Sequence, residues 1–223
     1  MSLLSSLIAD SHGTLVEFSG NGLLVDVSLK AGDNNVYFYE FTREIFEKLN
    51  PYIYAESDIS LEQVAFELLK INKLTIATAE SITGGQIVST LIKKNLGASE
   101  VVLEGAVTYS NQAKENRLGV SKETLDKHTS VSVQTTYDMA KGLLETSGAD
   151  IAIATTGFAS SVNQSEDAGL VFIAIGNKNR IDIFKNKFVG TREEVIETAA
   201  QAALFYLVKK LRKNDFYLEE NEL

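Results

Sequence analysis

The chain has 223 residues, 44% of them hydrophobic and 23% charged, which is the composition of an ordinary globular protein with room for one full domain and a smaller unit. With 21 Lys+Arg against 30 Asp+Glu the formal net charge is -9, so the summed field repels nucleic-acid backbones and acidic membrane surfaces and leaves room only for a local basic pocket. Cysteine is absent, which excludes disulfides, thiolate zinc sites and cysteine nucleophiles.

The opening "MSLLSSLIADSHG" has no basic n-region or small-residue cleavage site, and no stretch approaches the length of a membrane span, so a cytoplasmic protein is expected. Residues 1–57 read as a small β-rich unit. In "TLVEFSGNGLLVDVSL", Asn21-Gly22 suits a type I′ hairpin turn, and Val25, Val27 and Leu29 share one face of the returning strand, opposite Asp26 and Ser28. "NVYFYEFT" is expected as a third strand and "REIFEKLN" as a short helix stopped by Pro51. Such a unit could dock on the main domain, mediate self-association or bind a partner.

From about residue 58 the pattern alternates between helix and strand. "SLEQVAFELLKI" opens with a capping-box signature, Ser60 and Gln63. Then follow a strand over 74–79, a helix over 83–93, a strand over 105–109, short helices over 111–118 and 121–127, and a longer helix from Ser132 to about Thr146. "DIAIATTG" is a continuously apolar strand of the kind buried on both faces, and "GLVFIAIGNKNRIDIFKNKF" a hairpin with a polar tip. The last helix opens at Thr191, capped reciprocally with Glu194, and carries Val195, Ile196, Ala199, Ala200, Ala203, Leu204, Leu207, Val208 and Leu211 on one stripe. The prediction is an α/β fold: a three-layer α/β/α domain with a mixed sheet over 58–213, preceded by the β-rich unit and followed by an acidic tail over 214–223.

In open α/β sheets ligands gather beyond the carboxyl ends of the strands, where loops enter helices whose first N–H groups are unpaired. Three loops fit: Glu80-Ser81-Ile82-Thr83-Gly84-Gly85; "TYSNQAKENR", with Tyr109, Ser110, Asn111 and Lys114; and Thr155-Thr156-Gly157, which runs into "FASSVNQSEDA". Singly, each reads more simply as helix capping, turn geometry or a solvated lysine. The histidines, His12 and His128, lie in different contexts, so a histidine-based triad would rest on His128 alone, and no ligand cluster supports a metal.

In combination and order, these motifs resemble the C-terminal domain of the CinA family, the nicotinamide mononucleotide deamidases. The resemblance runs over about 60–212 through "TIATAESITGG", "GASEVVLEGAVTYSNQAKENRLGV", "HTSVS", "GADIAIATTG", "GLVFIAI" and "GTREEVIETAAQAAL". It implies an amidohydrolase without metal or cofactor that converts nicotinamide mononucleotide to nicotinic acid mononucleotide and ammonia. The family's nucleophile falls on Ser81, its lysine on Lys114 and its tyrosine on Tyr109. A lysine can accept the serine proton once burial lowers its pKa from about 10.4 towards about 7 or 8. Glu80, Thr83, Gly84, Gly85, Asn111, Thr156 and Gly157 would line the substrate cleft, backbone N–H groups of the 83–85 turn would face the oxyanion, and Arg192 would meet the 5′-phosphate. The partners implied are a small nucleotide substrate and further copies of the chain.

The chain departs from the family in "TTGFASSVNQSEDAGLVF", where Thr-Gly is usually followed by Ile-Ala-Gly-Pro and a glycine-rich run; Phe158, Ser160 and Ser161 stand there instead. The change bears on substrate binding more than on Ser81 and Lys114. Residues 1–57 are too short for the molybdopterin-binding-like domain that often precedes this one. Two expectations of different class follow: a working deamidase, or a nucleotide-binding or regulatory protein that has lost turnover.

Overall fold

The computed structural model describes residues 8, 11, 13–32, 36–160 and 167–216. The expectations for an acidic tail and for the middle of the 158–168 loop fall mainly outside these residues. The chain separates into two compact units, 1–57 and 58–223.

In the first unit, strands β1 (Leu15–Asn21) and β2 (Leu24–Lys30) form an antiparallel two-stranded hairpin. Their register pairs Asn21 with Leu24, so the turn is made by Gly22 and Leu23, and only Gly22 has positive φ, at 62°. The turn therefore sits one residue later than Asn-Gly predicts, with glycine at the first central position, where a single positive φ is needed. The expected third strand is absent: most of "NVYFYEFT" lies in helix α1 (Phe38–Leu49). Alternation of Tyr37, Tyr39 and Phe41 mimics a strand, but Phe41, Ile45 and Leu49 recur at four-residue spacing and pack on Val16 and Leu29 of the hairpin. Burial along that stripe decides in favour of helix.

The second unit is a five-stranded mixed sheet in the order β4-β3-β5-β6-β7. The parallel strands are β3 (Ile76–Glu80), β4 (Val102–Val107) and β5 (Ile151–Gly157); β6 (Leu170–Gly176) and β7 (Ile181–Lys187) run antiparallel to their neighbours. One face is covered by α2 (Leu61–Ile71), α3 (Gln86–Lys94) and α7 (Arg192–Arg212), the other by α4 (Asn111–Leu118), α5 (Lys122–His128) and α6 (Val133–Ser147). The three-layer α/β/α architecture with a mixed sheet is thus present.

The sheet face towards α6 is built of small side chains, Ala77, Ala79, Ala152, Ala154 and Ala174, against Met139, Ala140, Leu143 and Leu144. Each fully buried large side chain there contributes about 1.5–3 kcal/mol. Gly142 lets α6 approach the end of α4, since a Cβ at that position would lie 1.7 Å from the Leu118 carbonyl oxygen. The α7 stripe is buried as expected, except that Ile196 is half-buried, and Thr191 and Glu194 form the full capping box. Ser60 is the N-cap of α2 in extended geometry, but its side chain makes no capping hydrogen bond, so the predicted capping box is not formed. Helix α3 begins three residues later than expected because Gly84 and Gly85 hold φ of 61° and 94°, incompatible with the helix. Strand β4 ends at Val107, which leaves Tyr109 in the loop beyond it.

Candidate active site

The carboxyl ends of β3, β4 and β5 converge on one point. Ser81, the first residue after β3, donates its backbone N–H to the Thr155 carbonyl of β5 (3.0 Å), and the Thr108 N–H just beyond β4 donates to the Glu80 carbonyl (2.9 Å). Helix α4 starts next to this point, with Ser110 as N-cap accepting from the Ala113 N–H. Lys114, one turn in, is thereby carried under the sheet ends.

Lys114 is 1% exposed, and its Nζ donates to Ser81 Oγ at 3.0 Å and to the Thr108 carbonyl at 2.8 Å. Among the described residues no carboxylate forms an ion pair with it. Burial penalises the charged form and lowers its pKa from 10.5 to about 8. Ser81 is 8% exposed. The pair can therefore pass the hydroxyl proton to a neutral amine along an existing hydrogen bond.

The remaining predicted site residues divide into groups. Thr83, Gly84 and Gly85 form the turn after Ser81, and none of their backbone N–H groups donates to another described residue. Gly157 lies against the same turn: a Cβ there would meet Ile82 Cδ1 at 2.9 Å and the Leu170 carbonyl at 2.6 Å. Thr156 is buried and donates to the Ser130 carbonyl at 2.7 Å, which ties the 129–132 segment to the end of β5. That segment begins at Thr129, whose φ of 66° with ψ of 172° is strained for a β-branched residue.

Tyr109 is 67% exposed and makes no hydrogen bond to Ser81 or Lys114; its hydroxyl accepts instead from Arg192 Nη2 at 3.3 Å. Arg192 Nη1 also reaches Ser160 Oγ at 3.5 Å, so the guanidinium bridges the loops after β4 and β5 at the start of α7. Asn111 is exposed at the start of α4.

Glu80 and Thr83 are placed differently from the expected substrate-lining role. Glu80 is fully buried, with Oε1 accepting from Thr78 Oγ1 (3.0 Å) and the Val88 N–H (2.9 Å), and Oε2 from Thr83 Oγ1 (2.7 Å) and the Ile87 N–H (3.0 Å). Thr83 is 2% exposed, and its oxygen also meets Thr155 Oγ1 at 2.8 Å. Both side chains are spent on internal partners, because a carboxylate shut inside the protein must find donors there. Sequence reasoning missed Thr78 and the Thr108 carbonyl, and named Thr155 only as part of its loop. Thr78 carried a signal, being a hydroxyl inside a wholly buried strand.

The family model for the CinA C-terminal domain matches residues 58–211. The "Putative competence-damage inducible protein" of Clostridium beijerinckii is 47% identical over 193 residues, covering 84% of this chain and 47% of the relative. The chain therefore spans about half the length of the curated relatives it matches. A CinA superfamily protein from Klebsiella pneumoniae is similar in structure, with a TM-score of 0.65 and 34% identity over 69% of this chain and 96% of its own. The competence/damage inducible protein CihA from Agrobacterium tumefaciens gives a TM-score of 0.64 and 35% identity over 68% of this chain and 93% of its own. Sequence, fold and the order of the motifs agree, and the chain belongs to the CinA family through its C-terminal domain.

Proposed function

We propose that the chain is an amidohydrolase that deamidates nicotinamide mononucleotide, with Ser81 as nucleophile and Lys114 as its base. The observation that carries this is the 3.0 Å contact between Ser81 Oγ and a buried amine whose pKa is lowered to about 8. Neutral Lys114 takes the Ser81 proton as Oγ attacks the carboxamide carbon. The carbonyl oxygen becomes an oxyanion facing the unengaged N–H groups of the 83–85 turn, and each well-aimed donor is worth about 3–4 kcal/mol. Collapse breaks the C–N bond, and the leaving nitrogen takes the proton from Lys114 to depart as ammonia. Water then attacks the acyl ester, giving its proton to Lys114, which returns it to Ser81 Oγ as the ester C–O bond breaks; the product is the acid.

Arg192, with Tyr109 beside it, would bind the substrate phosphate. No metal or cofactor enters these steps. The proposal extends to a cytoplasmic homo-oligomer acting on a small nucleotide, with residues 1–57 as a separate unit. Ammonia release from nicotinamide mononucleotide by the wild type, Ser81→Ala and Lys114→Ala is the test. Activity lost in both variants supports the assignment. A folded wild type that binds the nucleotide but releases no ammonia would instead identify a protein that has kept binding and lost turnover.

A further inference from the structure

We infer that Glu80 is a positioning residue that sets the geometry of the Ser81 turn from behind; the inference rests on Ser81 being the nucleophile. Glu80 is 0% exposed, so it cannot touch a substrate. All four of its hydrogen bonds come from neutral donors, and among the described residues no cation pairs with it. An internal carboxylate so arranged demands a reason, because a serine or aspartate at the N-cap would satisfy the same helix without burying a charge.

The reason lies in what the N-cap position must be. It is Gly85, at φ of 94°, with no side chain to cap α3. A capping side chain there would have to adopt a left-handed conformation, and its Cβ would meet Val107 Cγ2 at 3.1 Å. Glu80 supplies the cap from the preceding strand instead, taking the Ile87 and Val88 N–H groups, the second and third of the helix. The Thr83 hydroxyl, in the middle of the turn, is bound to the same carboxylate. One side chain thus grips the turn at its centre and at its far end, while its own main chain adjoins Ser81 and accepts from Thr108, the residue whose carbonyl holds Lys114. The N–H groups of Thr83, Gly84 and Gly85 are left to a ligand, and the distance from Ser81 to them is fixed by Glu80.

The test uses the intact chain and a probe that needs no substrate: covalent labelling of Ser81 by a fluorophosphonate, followed by intact mass at pH 6–10 alongside thermal melting. Glu80→Gln keeps the shape but replaces one acceptor oxygen with a donor. In the folded variant, labelling should slow by about tenfold or more, as small displacements of a reacting group do, while the inflection near pH 8 set by Lys114 stays in place. Thr83→Val, which removes the hydroxyl bound to the carboxylate, should label more slowly, and Thr83→Ser, which restores it, should label faster than Thr83→Val. A lower melting temperature with a wild-type labelling rate would make Glu80 a structural cap only and overturn the inference. If Glu80→Gln does not fold, the Thr83 pair decides, and equal labelling of Thr83→Val and wild type overturns it. A wild type whose Ser81 does not label at any pH refutes the nucleophile itself, and the positioning role with it.

Discussion

Replacing Lys114 with methionine should trade activity for stability, and the trade should depend on pH in a calculable way. In the folded protein the amine titrates near 8, against 10.5 when unperturbed. A lysine whose folded pKa is lowered binds fewer protons folded than unfolded between these values, so the wild type gains stability as pH rises through that window. The 2.5-unit difference amounts to about 3 kcal/mol of penalty for holding the charged amine in the fold below pH 8, at 1.36 kcal/mol per unit. From pH 7 to pH 10 about 2.5 kcal/mol of it is relieved. Lys114→Met never carries the penalty. Its stability relative to wild type should therefore fall by about 2.5 kcal/mol between pH 7 and pH 10, whatever the fixed loss of the contacts to Ser81 and Thr108. Urea unfolding of both proteins at several pH values measures this, with other titrating groups common to the pair and cancelling. The same pKa makes about a tenth of the wild-type amine neutral at pH 7 and about nine-tenths at pH 9, so kcat/KM should rise about tenfold over that range. A stability difference that stays flat from pH 7 to 10 would refute the claim that burial depresses this amine.

Three further outcomes are expected. Gly142→Ala should destabilise the protein by about 2 kcal/mol or more, seen as a lower urea midpoint, because the new Cβ would press on the Leu118 carbonyl at 1.7 Å. Arg192→Ala should raise KM for nicotinamide mononucleotide about tenfold or more with a smaller change in kcat, since the guanidinium contacts Tyr109 and Ser160 and not the Ser81–Lys114 pair. Thr191→Ala, which removes half of the α7 capping box, should cost about 1 kcal/mol in the same unfolding experiment.

Much of the second unit was legible because its elements obey single, strong periods. The apolar run at 151–157, the stripe of α7 and the cap at Thr191 each had one interpretation, and the structure shows each of them. The first unit was harder. "NVYFYEFT" satisfies two periods over eight residues, and only its packing against Val16 and Leu29 separates them. Ser81 and Lys114 could be named together through motif order, but their 3.0 Å contact depends on the chain ends of three strands that no local pattern brings together. Glu80 shows the opposite failure. The resemblance placed it on the substrate cleft, whereas its burial among Thr78, Thr83 and the start of α3 makes it internal. Tyr109 likewise was grouped with the reactive pair, while its hydroxyl meets Arg192.

The two threonines near the end of β5 point to opposite sides of the sheet, Thr155 to the turn that follows the serine and Thr156 to the 129–132 segment. A single strand end therefore ties both the 83–85 turn and the 129–132 segment, and neither tie runs through residues 158–160. Substitution at Phe158 or Ser160 therefore leaves both hydrogen bonds in place. On the proposed function, the groups that act on the amide carbon are held at the end of β5 itself, and the departure from the family lies beyond it.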